Sequence, residues 1–204
     1  MLFGRGTLAD AHTVMVNGEA KTADKIVIAT GLRPNRLTIP GADLAHDSSD
    51  FLNLSDMPNR VTIIGAGYIA MEFATMANAA GAEVTVLMRG TQALRAYHQP
   101  FVEQIIADLT SRGVVFDRDT QVDAIVQGAD GLVVRGADLA VETDWVLDAT
   151  GRIPNVEELG LETVGVSYNA KGIVVDDYLR TTVPNIYASG DVIDKVQPKL
   201  TPTA

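Results

Sequence analysis

Residues 61–95 read VTIIGAGYIAMEFATMANAAGAEVTVLMRGTQALR, and this stretch decides the fold. It opens on an apolar strand, Val61–Ile64, and turns through Gly65-Ala66-Gly67-Tyr68-Ile69-Ala70. A helix follows to about Ala80, Gly81 stops it, and a second strand runs from Glu83 to Leu87. The order is strand, G-x-G-x-x-A, helix, strand, the context in which a glycine pattern has chemical meaning. Gly65 permits the tight turn, Gly67 lets a pyrophosphate reach the backbone, and Ala70 keeps helix and strand close. The helix N-terminus adds free N–H groups and partial positive charge. A dinucleotide site is expected here, in a Rossmann-like α/β domain.

Working outward, Phe101–Arg112 has helical periodicity and stops at Gly113, and Val114–Phe116 reads as a third strand. Short β-runs near Val122–Val126, Leu132–Arg135 and Leu139–Val141, separated by glycines, read as a β-meander. Trp145–Gly151 closes the region as another strand, with Trp145 in the core. Upstream, Leu32–Asn59 contains Pro34, Pro40-Gly41 and Pro58 and reads as an irregular connection between domains. Lys25–Gly31 is a continuous apolar run, expected to be buried on both faces. Thr13–Val16 followed by Asn17-Gly18 predicts a hairpin. Gly4–Ala9 also fits G-x-G-x-x-A, but only three residues precede it and a hairpin follows, so no helix end is available to a phosphate. The strands ending at Gly31 and Gly151 both finish Ala-Thr-Gly.

Net charge is −10, from 16 basic and 26 acidic residues, which argues against nucleic acid and anionic membrane surfaces as partners. Apolar runs are too short to span a bilayer and no signal peptide opens the chain, so a cytoplasmic protein is expected. The chain has no cysteine, which excludes disulfides, thiolate metal sites and thiol redox chemistry by these residues. His12, His46 and His98 are scattered without metal-ligand spacing and read as surface or loop residues.

IVIATG (26–31), IPG (39–41), GAGYIAME (65–72), ATGRIPN (149–155) and TTVPNIYASGDV (181–192), in this order, resemble the pyridine nucleotide-disulfide oxidoreductases, flavoenzymes with paired FAD and NAD(P) domains. The end, LTPTA (200–204), is more similar to the glutathione reductase branch than to the lipoamide dehydrogenase branch. That resemblance implies an NAD(P)-binding domain over residues 32–154, flanked by FAD-domain fragments at 1–31 and 155–204. The family's separate FAD-type glycine motif, its C-x-x-x-x-C redox pair and its C-terminal interface domain with a His–Glu pair do not occur in these residues. The chain therefore resembles the middle of such an enzyme: NADPH is its expected cofactor, FAD belongs to the parent, and this segment alone is expected to bind no flavin and to be inactive. The parent is expected to be a homodimer acting on a small disulfide. A strand edge at Ile26–Ala29, left open by missing flavin-domain strands, is expected to associate with another copy.

By the same resemblance, the backbone at Gly65, Ala66, Gly67 and near Ile69 holds the pyrophosphate side, and Glu72 bonds the nicotinamide carboxamide. Tyr68 is similar to a gate residue over the flavin, and Gly151 would contact the nicotinamide half. Asp191 resembles the residue that bonds the ribityl chain, with Thr201 and Gly6 as further flavin contacts. Solvated-helix, half-buried-aromatic and helix-cap readings stand beside these roles for Glu72, Tyr68 and Asp191. For cofactor choice, no acid occurs from Val84 through Arg95, where an NAD site would carry one for the ribose 2′-OH. Arg89 and Arg95 follow the strand instead, six residues apart, the spacing of the 2′-phosphate pair in NADPH-using glutathione reductases, with two solvated loop arginines as the plainer reading. Guanidinium suits that phosphate because it is always charged and offers paired donors. The other readings are a related flavoprotein (dihydrolipoamide dehydrogenase, mercuric reductase or NADH oxidase) and a stand-alone nucleotide-binding module without catalysis.

Overall fold

The computed structural model describes residues 1–195 of the 204. The backbone divides into two compact units, one comprising Pro34–Gly151, the other Met1–Arg33 with the described residues from Arg152 onward. In chain order the elements are β1 (Gly6–Asp10), β2 (Thr13–Val16), β3 (Glu19–Thr22), β4 (Ile26–Ile28), β5 (Leu32–Pro34), α1 (Ser48–Leu52), β6 (Arg60–Ile64), α2 (Tyr68–Ala79), β7 (Glu83–Met88), α3 (Gln99–Ser111), β8 (Val115–Arg118), β9 (Ala124–Gln127), β10 (Leu132–Gly136), β11 (Leu139–Thr143), β12 (Trp145–Asp148), β13 (Arg152–Pro154), α4 (Leu161–Val164), β14 (Tyr168–Asn169), β15 (Gly172–Ile173) and β16 (Ile186–Ala188).

The first unit is built on a parallel sheet of order β12-β6-β7-β8, with Val61 opposite Val84 and Trp145 opposite Val61. Side chains alternate along its strands. Val61, Ile63, Val84, Val86, Met88 and Leu147 share one core with helices α2 and α3, while Ile64, Leu87 and Val146 face the other way and pack with Ile125 and Val134 of the meander β9-β10-β11. Both sheet faces are thus covered, which is why these strands read as unbroken apolar runs. Ala70, Ala74 and Ala77 are fully buried and recur at helical spacing, so α2 lies close on the sheet.

The stretch 32–59 is more ordered than an irregular connection. Helix α1 is fastened by a capping box, in which Asp47 accepts from the N–H groups of Ser49 and Asp50 while the Asp50 side chain accepts from the Asp47 N–H. Phe51 on this helix is buried edge-on against Phe73 and Trp145. Gly41 packs so closely on the meander that a Cβ would stand against the Ile125 carbonyl, and its φ of 75° suits glycine. His46 also departs from a plain surface reading. It is half-buried, with its ring stacked on Trp145 at 4.7 Å.

In the second unit, β1, β2 and β3 form an antiparallel sheet, with Asn17-Gly18 turning the β2–β3 hairpin. Gly4–Ala9 therefore runs into a strand. Strand β4 pairs in parallel with β16, which fills one of its edges; the other edge is open among the described residues. The expectation that Lys25–Gly31 is buried on both faces is corrected here. Ile28 is buried against Leu161, Ile173 and Ile186, but Val27 is 61% exposed, since the described residues cover only one face.

Candidate functional site

A cleft of about 750 Å³ opens at the carboxyl ends of β6, β7 and β12. This is where the strand order reverses, with β7 and β8 laid down on one side of β6 and β12 on the other, the position at which open α/β sheets bind ligands. Gly65, Ala66 and Gly67 form its floor. Gly65 has φ 126°, and a Cβ there would stand 2.3 Å from the Ala149 carbonyl oxygen, so glycine is needed for β6 and β12 to approach. At Gly67 a Cβ would meet nothing within 4 Å, leaving open space where a ligand would lie. Gly67 is also the N-cap of α2 and, lacking a side chain, makes no side-chain cap bond at the anion-favouring end of that helix.

Charge at the cleft is opposite to that of the chain. With 26 acids in the protein, none among the described residues lines the cleft, whereas Arg36, Arg89 and Arg95 do. Arg36 is engaged by the Ala45 carbonyl and by Asp47 at 2.9 Å. Burial works to raise the Asp47 pKa, but the N–H groups of Asp50 and Ser49 and the Arg36 guanidinium outweigh it and hold this carboxyl below its ordinary value. Seven of the eleven arginines in the chain make such ion pairs, while Arg89 and Arg95 have no partner among the described residues and are exposed to the cleft.

Beneath the β12 end, the buried Asp148 carboxylate accepts from the Leu37 N–H at 2.8 Å, the Thr150 N–H at 3.1 Å and the Thr150 hydroxyl at 2.7 Å. These bonds tie the Asn35–Thr38 segment to the cleft wall. Asn35–Thr38, Gln92 and Thr120–Val122 all line the cleft and were not singled out from sequence. Thr120 was findable, since it follows the end of β8 and ligand sites lie beyond such ends. Arg36 had no local signal.

Of the residues expected to bind cofactor, the structure gathers Gly65, Ala66, Gly67, Arg89, Arg95 and Gly151 in this cleft. Tyr68 and Ile69 begin α2 without lining it; Ile69 packs on the core, and Glu72 is exposed on the same helix. Gly6 and Asp191 belong to the other unit, Gly6 opening β1 and Asp191 in a 3₁₀ turn just after β16. Thr201 lies outside the described residues. Among the described residues there is no metal-ligand cluster and no helix long and apolar enough to cross a membrane.

Comparison with known proteins agrees with this architecture. Residues 1–204 match the pyridine nucleotide-disulphide oxidoreductase family. The chain is 38% identical to a glutathione reductase of Nostoc sp. over 218 residues, covering 100% of this chain and 47% of that protein. The HOCl-induced flavoprotein disulfide reductase RclA from Escherichia coli has a similar structure, with TM-score 0.88 and 31% identity over 93% of this chain and 45% of that one. An engineered water-forming NADPH oxidase bound to NADPH, derived from the Lactobacillus brevis NADH oxidase, has TM-score 0.78 and 28% identity over 92% of this chain and 44% of its own. The chain thus spans less than half the length of these relatives. With a dinucleotide-type glycine turn at the switch point of a parallel sheet and a family match over its whole length, the chain belongs to the pyridine nucleotide-disulphide oxidoreductases.

Proposed function

We propose that this chain is the NADPH-binding part of a flavin-dependent disulfide reductase of the glutathione reductase kind. The observation that carries the reading is the pair of arginines, Arg89 and Arg95, without a partner among the described residues, on the rim of a cleft that no described acid lines, in a chain of net charge −10. The start of α2 at its glycine N-cap and the backbone at Gly65–Gly67 hold the pyrophosphate, and the open space at Gly67 is where it fits. Arg89 and Arg95 take the 2′-phosphate through charge-assisted hydrogen bonds. Bound NADPH supplies a hydride, which the whole protein uses to reduce a small disulfide by way of FAD.

The substitution pattern of the engineered NADPH oxidase supports the cofactor choice. Its parent is an NADH oxidase bound to NADH. Its five changes replace a glycine by alanine and, 18 positions on, an aspartate by alanine; the next residue becomes arginine, the one after that serine, and the residue six beyond the first new arginine becomes arginine as well. This chain has Ala70, then Met88 18 positions on, then Arg89, then Gly90 where the variant has serine, and Arg95 six beyond Arg89. The two patterns have the same spacing, and Met88 stands where the acid would accept from a ribose 2′-OH.

The test is titration calorimetry with NADPH and NADH on the wild type, Arg89→Ala and Arg95→Ala. Each arginine is solvent-exposed, so each substitution should weaken NADPH binding by about tenfold, the low end for a charge-assisted bond, and leave NADH binding within about twofold. Equal affinity of the wild type for the two cofactors would overturn the assignment.

A further inference from the structure

The arginines of this site stand on residues 89–98, which have no regular secondary structure, yet the segment is held from three directions. The Leu94 N–H donates to the Ala66 carbonyl at 2.8 Å, joining the segment to the glycine turn. Leu94 has φ 45°, in the left-handed region that a branched side chain rarely adopts, and such a residue persists only where its surroundings impose it. From the helix side, the Gln99 amide nitrogen lies 3.4, 3.3 and 3.1 Å from the carbonyls of Ala93, Leu94 and Tyr97. From the sheet side, Arg118 on β8 donates to the Thr91 carbonyl at 2.9 Å while both its terminal nitrogens engage Glu103, at 3.2 and 3.0 Å. That pairing holds the Glu103 carboxyl below its ordinary pKa.

Gln99 shows what this arrangement is for. Its Oε1 is buried with no hydrogen-bond partner among the described residues, because the three carbonyls fix which way the amide faces. A leucine of similar size would leave no orphan oxygen, and what it would lose is the hold on the arginine segment. Two long side chains on a loose segment lose conformational freedom when they converge on a phosphate, and a segment fixed in advance lowers that cost.

We infer that Gln99 and Arg118 are positioning residues, Gln99 presetting Arg95 and Arg118 presetting Arg89, and that they thereby determine selectivity for a ribose 2′-phosphate; this rests on the 2′-phosphate reading above. Neither residue lines the cleft. Each acts through the backbone carbonyls it grips, Ala93, Leu94 and Tyr97 for one and Thr91 for the other.

The test uses the full chain and two small probes, adenosine 2′,5′-bisphosphate and adenosine 5′-monophosphate, titrated by calorimetry with thermal melting of each variant recorded. Gln99→Leu should weaken bisphosphate binding by about tenfold and leave monophosphate binding within about twofold. Arg118→Lys keeps the charge but loses the planar fork, and should weaken the bisphosphate by about threefold, again without touching the monophosphate. In an Arg95→Ala background, Gln99→Leu should change bisphosphate affinity by less than about twofold, since its effect passes through Arg95. If both variants fold and bind the bisphosphate as the wild type does, or lose both probes equally, the inference is overturned. Should Gln99→Leu fail to fold, Arg118→Lys decides alone by the same criteria. If Arg95→Ala itself leaves the preference for the bisphosphate intact, it is the 2′-phosphate reading that falls.

Discussion

Residues 29–35, ATGLRPN, and residues 149–155, ATGRIPN, share a pattern at the ends of two strands in different units. The backbones behave alike: the Asn35 N–H donates to the Gly151 carbonyl and the Asn155 N–H to the Gly31 carbonyl, at 3.0 and 2.9 Å, each bond within its own unit. The surroundings differ. All four residues of β12 are buried, whereas β4 exposes Val27. Before the shared Ala-Thr-Gly stands Asp148 in one copy and Ile28 in the other. Thr150 turns its hydroxyl back to Asp148, and Thr30 gives its own to the Asn155 carbonyl. The turn is thus local chemistry, and the cleft at the β12 copy is shaped by β6 lying alongside and by a buried carboxylate that ties a neighbouring segment down.

The sharpest way to break this comparison is at the residue before the shared motif. Asp148→Ala removes the acceptor for three donors and should destabilise the first unit by about 3 kcal/mol. Ile28→Val removes one methylene from the other core and should cost about 1 kcal/mol. Trp145 is the only tryptophan, so its fluorescence in a urea titration follows the first unit, and far-UV circular dichroism follows both. Asp148→Ala should also weaken NADPH binding, since Leu37 and Thr150 line the cleft. An unfolding midpoint by Trp145 fluorescence equal to wild type would show that water replaces the lost acceptor without penalty.

A smaller effect separates the two glycines. Gly31 has φ 67° and Gly151 φ 153°, and a Cβ at either would meet nothing within 4 Å, so alanine costs backbone strain alone. That strain is about 1 kcal/mol in the left-handed helical region at Gly31 and about 2 kcal/mol in the glycine-only region at Gly151. Only Gly151→Ala should also lower nucleotide affinity, because only Gly151 lines the cleft. Equal loss of binding in both variants would mean that the shared motif, and not its setting, makes the site.

The same contrast explains what was legible in the sequence. The β6–α2–β7 unit was readable because local signals agree there: an apolar run, two glycines, and alanines at 70, 74 and 77. Helix α1 was not, since five residues are too few to show a period, although Asp47 and Asp50 at cap spacing were a usable clue. The exposure of Val27 depends on what covers a sheet face, which no residue of β4 encodes. Arg36 reaches the cleft through tertiary packing, so neither periodicity nor spacing marks it, whereas the place of Thr120 just beyond β8 was a usable clue.

The mildest test concerns the arginines after the two turns. In the second copy of the motif Arg152 donates to the Leu32 carbonyl, whereas in the first Arg33 pairs with Glu157 through two hydrogen bonds of 2.7 and 2.8 Å. The Arg33 hydrogen bonds, joined by backbone N–H donors, lower the Glu157 pKa from 4.5 to about 2. A carboxyl whose folded pKa is depressed stabilises the fold fully above its unfolded pKa and loses that contribution as pH falls through the folded value. The contribution is therefore present above about pH 4.5 and disappears by about pH 2. Because both side chains are largely exposed, solvent and salt keep it small. Melting curves by circular dichroism at several pH values, for wild type and Glu157→Gln, should show the wild type slightly more stable at pH 6. The gap should close between pH 4.5 and 2, and added salt should narrow it. A gap that stays constant down to pH 2 would mean that the ionised pair contributes nothing, and that Arg33 is held through its bonds to the Pro154 carbonyl and Asn155 alone.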